Sequence, residues 1–174
     1  MGIDLENGEK VAMKQFPKQG GRFDASAGVE IQMHKRLAHQ MQMTPGGENI
    51  CRLLDFVEDK KDLWLIYEVC RGKTMNEELF EVKGEFYKGE RIYMVHHSAF
   101  YHLLRNNLNL MGDFIKRMTM VLELFYQAGI VHADLKPDNI LIDFDEQNQV
   151  IRSLKVIDLG SSFLLNSEEE KLKD

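Results

Sequence analysis

The stretch "IVHADLKPDNILI", residues 130–142, constrains this chain more than any other. It sets His132, Asp134, Lys136, Asp138 and Asn139 between two apolar runs. The apolar flanks tie the loop to a core, and polar groups held against a core need hydrogen-bond partners. Such a loop is either an ordinary surface turn or a site. "LFYQAGIV" before it ends a helical pattern at Gly129, and "NILID" after it reads as a strand.

Two further segments carry chemistry-bearing residues. "VIDLGSSF" closes the strand "SLKVID" with Asp158 and places Gly160 two residues on. "KVAMK" puts Lys14 on a strand that follows the Asn7-Gly8 turn signal, so residues 3–16 read as a hairpin. Residues 17–24, with Pro17, Gly20 and Gly21, read as a loop. The spacing predicts a helix over 25–42, capped by Asp24 or Ser26, with Met33, Leu37 and Met41 on one face. Glu30 falls on that same face. A carboxylate on a buried stripe is costly unless paired, so either Glu30 sits at the helix edge or a basic group meets it.

Between these landmarks, "TPGGEN" (44–49) is a turn, and "ICRLLDFVED" and "LWLIYEV" are two strands joined at "DKKD". Over 72–109, "MNEELFEV" opens as a helix, "GEFYKGERIYMV" forms a hairpin turning at Lys88-Gly89, and "SAFYHLLRNNL" is helical. A long helix is expected from Gly112, with Ile115, Met118, Leu122 and Phe125 as its buried stripe. The tail "NSEEEKLKD" is a charge run, expected to be solvated. There are no internal repeats.

Composition narrows the function classes. A net charge of -6 leaves no basic footprint for nucleic acid. No apolar run approaches the roughly 20 residues of a membrane span, and "MGIDLENGEK" lacks the regions of a signal peptide. Glu6 stands where a myristoylation signal needs Ser or Thr. Two cysteines, Cys51 and Cys70, make neither a disulfide framework nor a cysteine-rich zinc site, and both are expected as buried free thiols in a reducing, intracellular and cytoplasmic setting. His96, His97 and His102 have no acid or cysteine at ligand spacing and are expected at the surface.

The order "VAMK", "VEIQMHKRL", "HADLKPDN", "DLG" resembles the signature set of eukaryotic-type protein kinase domains: strand lysine, helix glutamate, catalytic loop and D-F-G turn. "DLKPDN" is similar to the serine/threonine branch. The resemblance runs from the strand lysine to just past the D-x-G turn. It implies an α+β, protein-kinase-like fold: part of a β-rich small lobe and hinge over 1–70, a hinge exit with a hairpin insert over 71–109, the start of a helical large lobe over 110–165, and the charged tail 166–174.

It also implies roles. Lys14 pairs with Glu30 and holds the α- and β-phosphates of ATP. Asp134 takes the proton of the substrate hydroxyl, Lys136 lies beside the transferred phosphoryl group, and Asn139 and Asp158 hold Mg²⁺. Ala12 walls the adenine pocket, Tyr67 is the gatekeeper, and the backbones of Glu68 and Cys70 meet the adenine edge. His132 packs behind Asp158. The alternative to the Lys14–Glu30 pair is a surface lysine and an edge glutamate.

Four departures stand out. No G-x-G-x-x-G loop precedes the hairpin, and no A-P-E element follows "DLGSSF", so the resemblance implies a truncated fold. Ala133 replaces the arginine of H-R-D, and Leu159 replaces the phenylalanine of D-F-G. The implied function is ATP- and Mg²⁺-dependent transfer to protein serine or threonine hydroxyls. The alternative is an inactive, kinase-like nucleotide-binding or scaffold protein. The insert, residues 81–97, is either a surface decoration or a docking hairpin for a partner or substrate.

Overall fold

Strand β2 (Lys10–Pro17) anchors a four-stranded antiparallel sheet in the computed structural model, which describes residues 1–5, 8–18 and 24–165. It lies between β1 (Gly2–Ile3) and β4 (Asp62–Glu68), with β3 (Leu53–Glu58) at the far edge. "DLWLIYE" alternates as a half-buried strand must, and Leu63, Leu65 and Tyr67 all point into the core. The β1–β2 hairpin agrees with the expected turn; Gly8 has φ 74, while Asn7 lies outside the described residues. Gly20, Gly21 and the tail from Asn166 also lie outside them.

Helix α1 (Ala25–Met43) crosses this sheet. Asp24 caps it by accepting a hydrogen bond from the Ser26 N–H at 2.8 Å. Its buried face carries Ala27, Glu30, Met33, His34 and Leu37. Ala27 joins Phe16, Leu63, Leu65 and Tyr67 in the core beneath the sheet. Met33 and Leu37 belong to a second core, shared with the helical part of the chain.

That part begins with β5 (Lys73–Thr74) and the short helix α2 (Met75–Leu79), held by a reciprocal Thr74–Glu77 capping box. The hairpin β6 (Phe80–Tyr87) and β7 (Glu90–His97) follows, turning at Lys88 (φ 50) and Gly89 (φ 85) as expected. Its ladder pairs Val82 with Val95 and Gly84 with Tyr93, so Val82, Phe86, Tyr93 and Val95 share one exposed face. At its base the Ser98 N–H donates to the Leu79 carbonyl, and His97 stacks on Tyr101 with ring centroids 3.9 Å apart. His97 and His102 are exposed as expected, whereas His96 is half-buried.

Helices α3 (Ala99–Asn106) and α4 (Leu108–Ala128) then pack over β8 (Ile130–Val131), β9 (Ile140–Asp145) and β10 (Val150–Val156), with β11 (Phe163–Leu164) paired to β8. Two expectations need correction here. Helix α4 starts four residues before Gly112, because the Asn107 side chain accepts from the N–H groups of Asn109 and Leu110. Its buried residues are Leu110, Val121, Leu124, Phe125 and Ala128, while Ile115 and Leu122 are half exposed. The expected stripe is rotated by about one residue's 100° from the true face, so only Met118 and Phe125 fall near it. Gly129 ends the helix in the left-handed region (φ 65), as its composition implied.

Gly72, between β4 and β5, has φ 93, and a Cβ there would lie 2.0 Å from the Ile142 carbonyl oxygen. Gly72→Ala is expected to cost about 3 kcal/mol, lowering the thermal midpoint by roughly 10 °C in a calorimetric scan. A midpoint within about 2 °C of the parent would contradict this.

Candidate active site

The fold settles the position of Glu30. Ala12 and Lys14 on β2 pair with Tyr67 and Leu65 on β4, so Lys14 and Tyr67 share the sheet face that meets α1. Glu30 is 1% exposed. Its Oε2 accepts from Lys14 Nζ at 2.8 Å, and its Oε1 accepts from the Tyr67 hydroxyl at 2.5 Å. Glu30 is therefore neither at an edge nor unpaired. The same Lys14 Nζ lies 2.8 Å from Asp158 Oδ1. Burial depresses the Lys14 ammonium, but the hydrogen bonds to Asp158 and Glu30 outweigh it and hold the group above its ordinary value. Burial likewise pushes Asp158 up, but the hydrogen bond and charge of Lys14, with the Gly160 N–H, together hold it below its ordinary value. Burial and the bond to Glu30 push the Tyr67 phenol far up, so it remains a donor.

The loop after β8 forms a second cluster. A 3₁₀ turn over Pro137–Asn139 buries Asn139, whose Nδ2 donates to the Asp134 carbonyl at 2.8 Å and to Asp134 Oδ2 at 3.0 Å. Lys136 Nζ lies 2.8 Å from the same Oδ2. Lys136, and after it Asn139, keep the Asp134 carboxyl below its usual range. Ala133 and Asp158 both have φ 62, a conformation that costs a non-glycine residue about 1–3 kcal/mol and concentrates at functional sites.

His132 joins the loop to the segment that leads from β10 to Asp158. Its Nε2 faces the Ile157 carbonyl at 3.3 Å and its Nδ1 accepts from the Asp134 N–H at 3.3 Å. A carbonyl accepts only, so the proton sits on Nε2. The Ile157 N–H also donates to the Asn139 carbonyl at 3.0 Å, bringing Asn139 to the end of the strand beside Asp158. The two clusters act on each other: Asp158 contributes to raising Lys136, and Asp134 opposes the lowering of Asp158. Leu159 is 1% exposed and packs in the larger core.

A cavity of about 410 Å³ opens between sheet and helices, lined by Ala12, Lys14, Tyr67, Glu68, Cys70, Leu141, Ile157 and Asp158 among others. Its size suits a small organic ligand. The sequence did not reveal how the end of β4 is fixed. The Glu68 carboxylate accepts from Lys155 Nζ at 2.7 Å and from the Arg52 N–H at 2.9 Å. Lys155, the one cation inside "SLKVID", was the available signal. The expectation of two buried thiols is half right: Cys51 is buried, Cys70 is half-buried, and their sulfurs are 3.3 Å apart.

His34 lines the same cavity, 7% exposed and edge-on to Tyr67 at 5.7 Å. Burial, then the Lys14 charge, lowers its pKa to about 4. The folded protein thus resists protonation that the unfolded chain accepts near 6.5. This contribution is complete above pH 6.5 and is lost as pH falls from there towards 4. Urea unfolding is expected to show stability about 2 kcal/mol lower at pH 5 than at pH 7.5, with His34→Gln flattening the difference. An equal pH dependence in the variant would refute the assignment.

The protein kinase domain model matches residues 1–174. This chain belongs to the protein kinase domain family. The kinase fold accounts for the sheet-plus-helices arrangement described above. Among curated kinases, hormonally up-regulated neu tumor-associated kinase homolog B of Xenopus laevis is 28% identical over 161 residues, covering 92% of this chain and 21% of that protein. The human hormonally up-regulated neu tumor-associated kinase is 27% identical over 161 residues, covering 92% and 18%. MAP kinase-interacting serine/threonine-protein kinase 1 of Xenopus tropicalis is 27% identical over 165 residues, covering 95% and 33%. The chain thus spans about a fifth of the length of the first of these kinases and a third of the last.

Proposed function

We propose that this chain carries the nucleotide site and catalytic loop of a protein serine/threonine kinase that uses ATP with Mg²⁺. The observation that carries the reading is Lys14 Nζ held at 2.8 Å by both Glu30 and Asp158. A lysine fixed at the mouth of a cavity by two carboxylates is aimed at phosphate oxygens. Ala12, Leu141 and Ile157 supply apolar walls for a base, and the main chain at Glu68 and Cys70 supplies its polar edge.

The donor set fits Mg²⁺. Asn139 spends its Nδ2 on Asp134, which leaves its Oδ1 as a hard ligand, and Asp158 keeps Oδ2 free of Lys14. The bound ion supplies charge neutralisation on the phosphates. Asp134, ionised and positioned by Asn139, accepts the proton of the attacking hydroxyl. Lys136, bonded to Asp134, offsets negative charge on the group in transfer. Lysine two residues after the aspartate is the pattern of the serine/threonine branch, and one of the relatives carries "serine/threonine-protein kinase" in its name.

A second reading is a kinase-like scaffold that binds nucleotide without turnover. The exposed apolar face of the β6–β7 hairpin favours it, since Val82, Phe86, Tyr93 and Val95 make a surface for a docking partner. Incubating the chain with radiolabelled Mg·ATP and peptides bearing only serine, threonine or tyrosine separates the readings. Transfer to serine or threonine, abolished by a chelator, is the result expected. Nucleotide binding without transfer selects the scaffold. Failure to bind nucleotide rejects both.

A further inference from the structure

The antiparallel register of β3 and β4 carries two cysteines to one end of that hairpin. Leu53 faces Tyr67 in the last ladder pair, so the residues just beyond it on each strand emerge side by side. Cys51 Sγ and Cys70 Sγ lie 3.3 Å apart, and both side chains line the cavity. Cys51 is 6% exposed, while Cys70 is half-buried and the more open of the two. A disulfide requires sulfurs about 2.05 Å apart, so closure needs a movement of little more than 1 Å. The bridge would clamp two strand ends that the ladder already holds together.

Glu68 completes a three-donor group with the two thiols, all within 4.8 Å. A metal there is disfavoured. Glu68 Oε1 already accepts from Lys155 Nζ and the Arg52 N–H, and Oε2 faces Arg52 Nε at 3.4 Å. Two fixed cations beside the carboxylate oppose a third. The sulfur pair is what remains reactive.

We propose that Cys51 and Cys70 form a redox-sensitive dithiol, a modification site where hydrogen peroxide closes a reversible intramolecular disulfide beside the cavity. Cys70 attacks first, being the more accessible. Its thiolate forms an S–O bond as the peroxide O–O bond breaks, giving a sulfenic acid, and the departing hydroxide leaves as water with the thiol's proton. The Cys51 sulfur then attacks the Cys70 sulfur. The S–S bond forms, the S–O bond breaks, and the Cys51 proton leaves with the hydroxide as a second water. Electrostatics assigns the same order. The adjacent Cys51 thiol holds Cys70 below its ordinary value, whereas the bond to Cys70 and burial push Cys51 far up. Resting on the reading of the cavity as a nucleotide site, a bound nucleotide covers the Cys70 sulfur and shields it from peroxide.

The test treats the reduced 174-residue chain with hydrogen peroxide, alkylates with N-ethylmaleimide and maps the peptides. The expected result is paired loss of both thiols, a mass lower by two hydrogens, one peptide pair joining Cys51 to Cys70, and reversal by dithiothreitol. Cys51→Ser is expected to leave a Cys70 sulfenic acid that dimedone traps. Full alkylation of both cysteines after peroxide, or a bridge found only between two chains, overturns the proposal. So does protection of both thiols by added Zn²⁺ with no disulfide on oxidation. Saturating Mg·ATP is expected to slow thiol loss about tenfold by restricting access. An unchanged rate with nucleotide demonstrably bound removes the shielding and leaves the disulfide. Absence of nucleotide binding rejects the kinase reading alone, because the peptide map does not depend on it.

Discussion

Replacing Asp134 by asparagine is expected to lower phosphoryl transfer about 10³-fold and to leave nucleotide affinity within about two-fold. The structure makes this a clean substitution. The amide oxygen introduced by Asp134→Asn can still accept from Lys136 Nζ and Asn139 Nδ2, the bonds that now hold the carboxylate at 2.8 and 3.0 Å. The loop therefore keeps its shape, its 3₁₀ turn and its tie to His132. What disappears is the capacity to take a proton from a hydroxyl. Rate assays and equilibrium binding on the same preparation separate the two effects. Undiminished turnover would remove Asp134 from the reaction, and equal loss of rate and affinity would make it a structural residue.

Lys14→Met is the second large effect. Among the described residues it leaves Glu30, which is 1% exposed, with the Tyr67 hydroxyl as its side-chain partner, and it releases Asp158 from its ion pair. Removing one member of a buried pair costs about 3–5 kcal/mol. Lys14 is 38% exposed, so solvent screening reduces the expected loss to about 2 kcal/mol. Nucleotide affinity is expected to fall about 10–100-fold with the loss of a charge-assisted bond to phosphate. Combining Lys14→Met with Glu30→Gln removes the stranded charge and is expected to restore more than half of the stability but none of the affinity. Additive losses in denaturant titrations of the double variant would show that the two residues are not coupled.

Part of the site was legible in the sequence. A glutamate on an apolar helical face had to sit at the helix edge or meet a cation, and the kinase resemblance pointed to Lys14 as that cation. The polar loop between apolar runs demanded internal partners, and Asp134, Lys136 and Asn139 supply them to one another. The Lys88-Gly89 turn was readable because adjacent positive φ values favour such pairs. The buried face of α4 was not readable. Ile115 and Leu122 are as apolar as Val121 and Leu124, and composition alone does not say which arc meets the core. The cysteine pair was hidden because its members lie 19 positions apart and the β3–β4 register, with its irregularity between Leu53 and Asp55, brings them together. The direct Lys14–Asp158 contact spans 144 positions and is fixed by tertiary packing, on which local pattern is silent.

The Lys155–Glu68 ion pair has a mechanical consequence. Glu68 ends β4, and Lys155 lies near the end of β10, three residues before Asp158. With side chains 16% and 19% exposed, the pair is only weakly screened by salt. It therefore ties the end of β4 to the strand that leads to Asp158, beside the direct Lys14–Asp158 contact. Cutting the tie with Lys155→Met is expected to loosen the Glu68 wall of the cavity while leaving the Lys14–Asp158 contact in place.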